Sequence, residues 1–112
     1  MLKITVLQDE ANRCLGFEAK DHAGYAKKGK DVVCAAASML IQNTVNSIER
    51  FCDDLFDIEA DEKNGLIRFM LQGTSSDEAQ LLLKSMYTGL TDLEEDPKYK
   101  DYIDVIFQRK AQ

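Results

Sequence analysis

The sequence predicts an α+β domain, with two helices packed on one face or both faces of a roughly five-stranded sheet in the order β-β-α-β-β-α-β. Two long stretches carry a single apolar stripe at helical spacing. Five short stretches alternate apolar and polar residues or form short apolar runs, and turn residues separate them. Hydrophobic residues make up 45% of the 112-residue chain, enough for one core without disulfide or metal, so 1–112 reads as a single domain.

The first strand is read over 2–8, with Leu2, Ile4 and Val6 on one face. The second is read over 13–20, with Leu15, Phe17 and Ala19 sharing a face; Asp9-Glu10-Ala11-Asn12 forms the turn between them. Residues 21–30 follow neither period. Two glycines and three lysines there predict a mobile loop.

The first helix is predicted over 31–51. Asp31 suits its N-terminal cap or first turn. Cys34, Ser38, Ile41, Val45, Ile48 and Cys52 fall on one stripe, widened by Val33, Ala37 and Leu40, with Gln42, Asn43, Asn46, Glu49 and Arg50 opposite. A hairpin is expected from 55–60 and 66–71, turning at Asn64-Gly65. Ser75 and Glu78 have the spacing of a capping box. The second helix follows, its apolar face made of Ala79, Leu82, Leu83, Met86, Leu90 and Leu93, weakened at Gly89 and ended by Pro97. A last strand over 102–107 presents Ile103, Val105 and Phe107. Strand order depends on contacts far apart in the chain and is not written in these local patterns.

Composition excludes several classes. A net charge of −6 is unsuited to neutralising phosphates, so no direct nucleic-acid partner is expected; an acidic surface favours a basic partner or simply keeps the protein soluble. No apolar run reaches the roughly 18 residues needed to span a bilayer, and the N-terminal stretch alternates like a strand rather than a signal peptide. A cytoplasmic location without membrane contact is the expectation. Three cysteines at 14, 34 and 52 have neither a disulfide nor a zinc spacing, and no metal or cofactor is expected. Asp57, Glu59 and Asp61 would share one side of a strand, as a solvated face rather than a metal site.

Chemistry can reside in few places. His22 is the single histidine. It is either a surface or structural residue, or a base placed at the head of a loop that feeds a helix. Cys34 falls in the first turn of that helix, where unpaired N–H groups favour a thiolate and are suited to hold an oxyanion. Its place on the apolar stripe equally suits a small buried hydrophobe. Asp31 and Ser38 neighbour it at i−3 and i+4. Asp31 either caps the helix or orients His22; Ser38 either donates a hydrogen bond or fills space. Cys14 and Cys52 lack this setting and read as structural.

His22-Ala23-Gly24-Tyr25-Ala26, followed by Gly29-Lys30-Asp31-Val32-Val33-Cys34-Ala35-Ala36-Ala37-Ser38, resembles the bacterial ribosomal-processing cysteine protease family, often called Prp. Chain length, element order and the Asn-Gly hairpin agree with that family. The resemblance implies a cysteine endopeptidase that removes the short N-terminal extension of a basic large-subunit ribosomal protein, the one numbered twenty-seven, in support of ribosome assembly. It implies Cys34 as nucleophile and His22 as base, with Asp31 and Ser38 supporting. Gly24, Tyr25 and Gly29 belong to the implied substrate loop, and the implied assembly is a homodimer. Asp21 stands where the family usually has Gly; it either raises the basicity of His22 or shifts the backbone at the loop entrance.

Two readings of other classes compete. A non-catalytic acidic module binding a basic ribosomal partner would keep the fold without a reactive thiol. A thiol redox sensor would need a resolving cysteine, and none lies near Cys34 in the sequence.

Overall fold

A computed structural model describes residues 1–27 and 30–110. The elements are β1 (Leu2–Gln8), β2 (Cys14–Lys20), α1 (Val32–Phe51), β3 (Phe56–Asp61), β4 (Leu66–Leu71), α2 (Asp77–Glu95) and β5 (Ile103–Arg109). The sheet order is β3-β4-β2-β1-β5. Strand β5 runs parallel to β1, and the other neighbours are antiparallel. The α+β architecture and element order are those expected.

Alternation along β1 buries Leu2, Ile4 and Val6, and β5 adds Ile103 and Val105. In β2 the inward set differs from expectation. Leu7 pairs with Gly16 but Gln8 pairs with Cys14, so Leu15 is skipped in the ladder. This bulge turns Cys14, rather than Leu15, into the core beside Phe17 and Ala19. Phe17 stacks on Phe69 of β4 with ring centroids 5.2 Å apart. At the far end of β5, Phe107 is 44% exposed and packs edge-on against Tyr87 instead of entering the core.

Both helices lie on one face of the sheet and pack on each other. The buried stripe of α1 is Val33, Ala37, Ile41, Thr44, Val45 and Ile48. Cys34 and Ser38 therefore sit at its margin, the first half-buried and the second exposed, not along its centre. Helix α2 buries Ala79, Leu83, Met86 and Leu90. Gly89 has a packing reason: a Cβ there would lie 3.0 Å from Cδ1 of Leu40, so its absence lets the helices approach.

The cap of α2 is Ser76, one residue after the expected Ser75, and Ser76 Oγ accepts from Ala79 N. Asp54 takes the part foreseen for Glu78, accepting from Ser76 N at 2.7 Å and from Ser76 Oγ at 2.6 Å. Ser75 Oγ instead accepts from Gln80, whose side chain also bridges the backbone of Cys14. The β3–β4 turn spans four residues, and of Asn64 and Gly65 only Gly65 has positive φ, +61°. Asp61 Oδ1 accepts from Lys63 N and Asn64 N, which closes the turn without Asn64 entering the left-handed region.

Candidate active site

The site begins with Asp31. Its φ of −82° and ψ of 102° end the loop, and its side chain caps α1. Oδ1 accepts from Val33 N and Cys34 N, both at 3.0 Å. Oδ2 accepts from Tyr25 N at 2.9 Å and Ala26 N at 3.4 Å. One carboxylate thus ties the loop to the helix start. Burial works to raise its pKa, but the backbone donors, Cys34 and Tyr25 foremost, outweigh it and hold the carboxyl below its ordinary range. With both oxygens engaged by the backbone, capping and loop anchorage account for Asp31.

That cap alters the expectation for the helix N-terminus. Val33 N and Cys34 N are taken by Oδ1, and Ala35 N donates to Asp31 O at 3.0 Å. These first-turn donors are satisfied internally, so they are not free to hold an oxyanion. A different donor faces the sulfur: Ala23 N lies 3.2 Å from Cys34 Sγ.

The thiol also departs from expectation. Burial pushes the Cys34 pKa up, the Ala23 N–H pulls it part of the way back, and the adjacent Asp31 carboxylate adds to the rise. A capped helix start with a carboxylate beside it is not the electropositive corner that an uncapped one would be.

The lone histidine comes from the loop entrance. Asp21, at φ +67°, turns the chain out of β2 and leaves His22 exposed on the rim of a cleft that Cys34 also lines. Aspartate is among the few non-glycine residues that tolerate this conformation, so Asp21 keeps a backbone that glycine would adopt freely. His22 also meets the β3–β4 turn, where a Cβ on Gly65 would lie 3.0 Å from His22 Cε1 and 3.1 Å from Nε2.

A cleft of about 430 Å³ is lined by His22, Gly24, Asp31, Cys34 and Ser38 among others. A second cavity of about 510 Å³ shares His22, Cys34 and Ser38 and runs along α1 past Ile41 and Val45 to Ile58 and Ala60 of β3. Its floor is largely apolar, and Asp21, Asp61 and Glu62 edge it. Ile58 is 49% exposed, an apolar side chain with room beside it. Five predicted site residues, Cys34, His22, Asp31, Ser38 and Gly24, therefore border one cleft. Tyr25 does something else: its ring packs edge-on against Tyr99 and Tyr102, centroids 5.5 and 4.9 Å away, and latches the loop to the α2–β5 connection. Gly29 lies outside the described residues.

The other cysteines are placed as structural residues. Cys14 is 2% exposed and its pKa is pushed up to about 11 by burial. Cys52 closes α1 at its C-terminal end, and burial and the Asp54 carboxylate raise its pKa. Among the described residues no group of three or more His, Cys, Asp or Glu side chains is arranged to hold a metal ion. Likewise among them, no helix is long and apolar enough to cross a membrane. The Ala23 donor and the Gly65 contact were missed from sequence, because both depend on how the loop and the hairpin meet.

Known proteins share this fold. A Staphylococcus aureus structure, the essential ribosomal processing protease Prp with a covalently linked product peptide, superposes with a TM-score of 0.90. It is 28% identical, over 96% of this chain and 100% of that one. The same protease with a substrate peptide gives a TM-score of 0.85 at 27% identity, with the same coverage of both chains. The ribosomal processing cysteine protease Prp of Bacillus subtilis is 30% identical over 109 residues, which is 94% of this chain and 96% of that one. The family model described as Cysteine protease Prp matches residues 1–104, and the chain belongs to that family.

Proposed function

We propose that this chain is a cysteine endopeptidase that removes the short N-terminal extension of a basic large-subunit ribosomal protein. Cys34 serves as nucleophile and His22 as base. The observation that carries the reading is that these two residues, from separate elements, border the same cleft, and that the cleft continues into an apolar groove. The groove from Ile41 to Ile58 suits an extended peptide with apolar side chains. The net charge of −6 suits a basic partner. Relatives with this fold bind a substrate peptide and a covalently linked product peptide.

Burial and the neighbouring Asp31 carboxylate disfavour the Cys34 thiolate. His22 then acts when substrate arrives and displaces water, taking the Sγ proton as sulfur attacks the peptide carbonyl. The proton passes to the leaving amine, a thioester remains, and water activated by His22 releases the acid. Ala23 N–H, already beside the sulfur, is the donor best placed for the developing oxyanion. Ser38 lies one turn from Cys34 on the cleft wall and supports the pair.

The test is cleavage of a peptide spanning the extension by each purified variant, with circular dichroism to confirm folding. Cys34→Ala is expected to be folded and inactive, and His22→Ala to lose about 10²-fold or more. Folded Cys34→Ala protein that cleaves at the wild-type rate would end the reading.

The protein is further proposed to work in the cytoplasm as a homodimer. Both helices cover one face of the sheet, while the other presents Leu7, Met70 and Ile106, the last 42% exposed. Light scattering that gives the 12.7 kDa monomer across the micromolar range would reject the dimer.

A further inference from the structure

The β3–β4 turn does more than join two strands. Its Gly65 faces the loop that carries the candidate base. An L side chain at position 65 would place its Cβ 3.0 Å from Asp21 O, 3.0 Å from His22 Cε1 and 3.1 Å from His22 Nε2. Real Cβ atoms hardly ever come closer than this, so either the imidazole or the turn would have to move. Two of the three contacts fall on the ring edge that bears Nε2. The turn is held rigid behind Gly65 by the Asp61 side chain, which binds Lys63 N, Asn64 N and Asn64 Nδ2. The imidazole is exposed and therefore the softer partner. Gly65 also lines the cavity that His22 and Cys34 share.

We infer that Gly65 is a positioning residue: its missing side chain seats the His22 imidazole against the hairpin turn, within reach of Cys34. The inference rests on His22 being the base. A reacting group displaced by an ångström can cost about 10²-fold in rate, so a small push at position 65 acts on turnover more than on peptide affinity.

The structure supplies a control for backbone strain. Gly65 has φ +61° and Gly73 has φ +68°, but a Cβ on Gly73 would meet nothing within 4 Å. Gly65→Ala and Gly73→Ala impose the same left-handed strain, and only the first presses on His22. Gly65→Asn adds a Cβ while tolerating the left-handed backbone, and serves if Gly65→Ala folds poorly.

The experiment measures kcat and KM on the extension peptide, together with the imidazole Cε1–H resonance across pH. His22 is the chain's single histidine, so that resonance is unambiguous. Gly65→Ala and Gly65→Asn are expected to lower kcat about tenfold or more with KM little changed, and to shift the resonance. Gly73→Ala should leave both near wild type. If His22→Ala is inactive while folded Gly65 variants cleave like Gly73→Ala, or leave the resonance unmoved, the positioning role is overturned and the base stands. If His22→Ala cleaves at the wild-type rate, the base reading falls and the positioning role falls with it.

Discussion

Removing the Asp31 carboxylate separates two jobs that one side chain performs. Asp31→Ala deletes the helix cap, worth about 1 kcal/mol with a range to about 2. It also deletes the anchors for Tyr25 N and Ala26 N. The first, at 2.9 Å, is a charge-assisted bond worth about 1.5 kcal/mol; the second, at 3.4 Å, is long and contributes about 0.5. The expected loss is about 3 kcal/mol. Asp31→Asn is the informative variant. Its oxygen can still receive Val33 N and Cys34 N, and asparagine caps as well as aspartate. Its amide nitrogen cannot accept from Tyr25 or Ala26, so the loop alone is released, at a cost of about 1.5–2 kcal/mol. Urea unfolding followed by circular dichroism measures both losses. The pH dependence has a definite sign. The folded carboxyl lies below its ordinary pKa, so its contribution is complete above about pH 4 and fades as pH falls through the folded value. Wild type and Asp31→Asn should therefore converge in acid. Equal losses for Asn and Ala, or a gap that persists undiminished to about pH 2, would refute the division of labour.

Other features give separate tests. With the Cys14 thiol pushed up to about 11, the folded state resists its ionisation, and stability is lost as pH rises from about 9 to 11. Wild type should lose about 2–3 kcal/mol over that window that Cys14→Ala does not, and parallel curves would contradict the burial argument. Tyr25→Ala removes two edge-on contacts with Tyr99 and Tyr102, each worth about 0.5–1.5 kcal/mol beyond area burial. Amide exchange at Ala23 and Gly24 should quicken, and unchanged protection would show that the latch carries nothing. In an ordinary helix interior Gly89→Ala would stabilise by about 1 kcal/mol. Here the contact with Leu40 should cancel most of that gain, and the gain should return in a Leu40→Ala background, so simple additivity in the double-mutant cycle would refute the close-approach role.

The mismatches at the site share one cause. Helix start, loop and sulfur are each legible in the sequence, but what the loop brings to Asp31 is not. Once Tyr25 and Ala26 fold back, the carboxylate is fully engaged, the first-turn N–H groups are closed, and the thiol faces a negative neighbour. A pattern that looked electropositive in isolation became a capped helix start whose surroundings disfavour the Cys34 thiolate. The cap of α2 moved by one residue for a similar reason: Asp54 lies close in space and fixes Ser76, while Gln80 claims Ser75.

Local chemistry determined the element list, since period 3.6 and period 2 leave different apolar patterns, and it determined which thiol and which imidazole were candidates, since a lone histidine and a cysteine at a helix start are visible in the chain itself. The close motif from His22 to Ser38 carried the family resemblance, because those residues are contiguous. The tertiary structure alone decided the order β3-β4-β2-β1-β5, the inward turn of Cys14 at the β2 bulge, the approach of α1 and α2 at Gly89, and the meeting of Gly65 with His22. Each of these depends on how separate elements meet, fixed by pairing and packing rather than by any preference a single segment holds on its own.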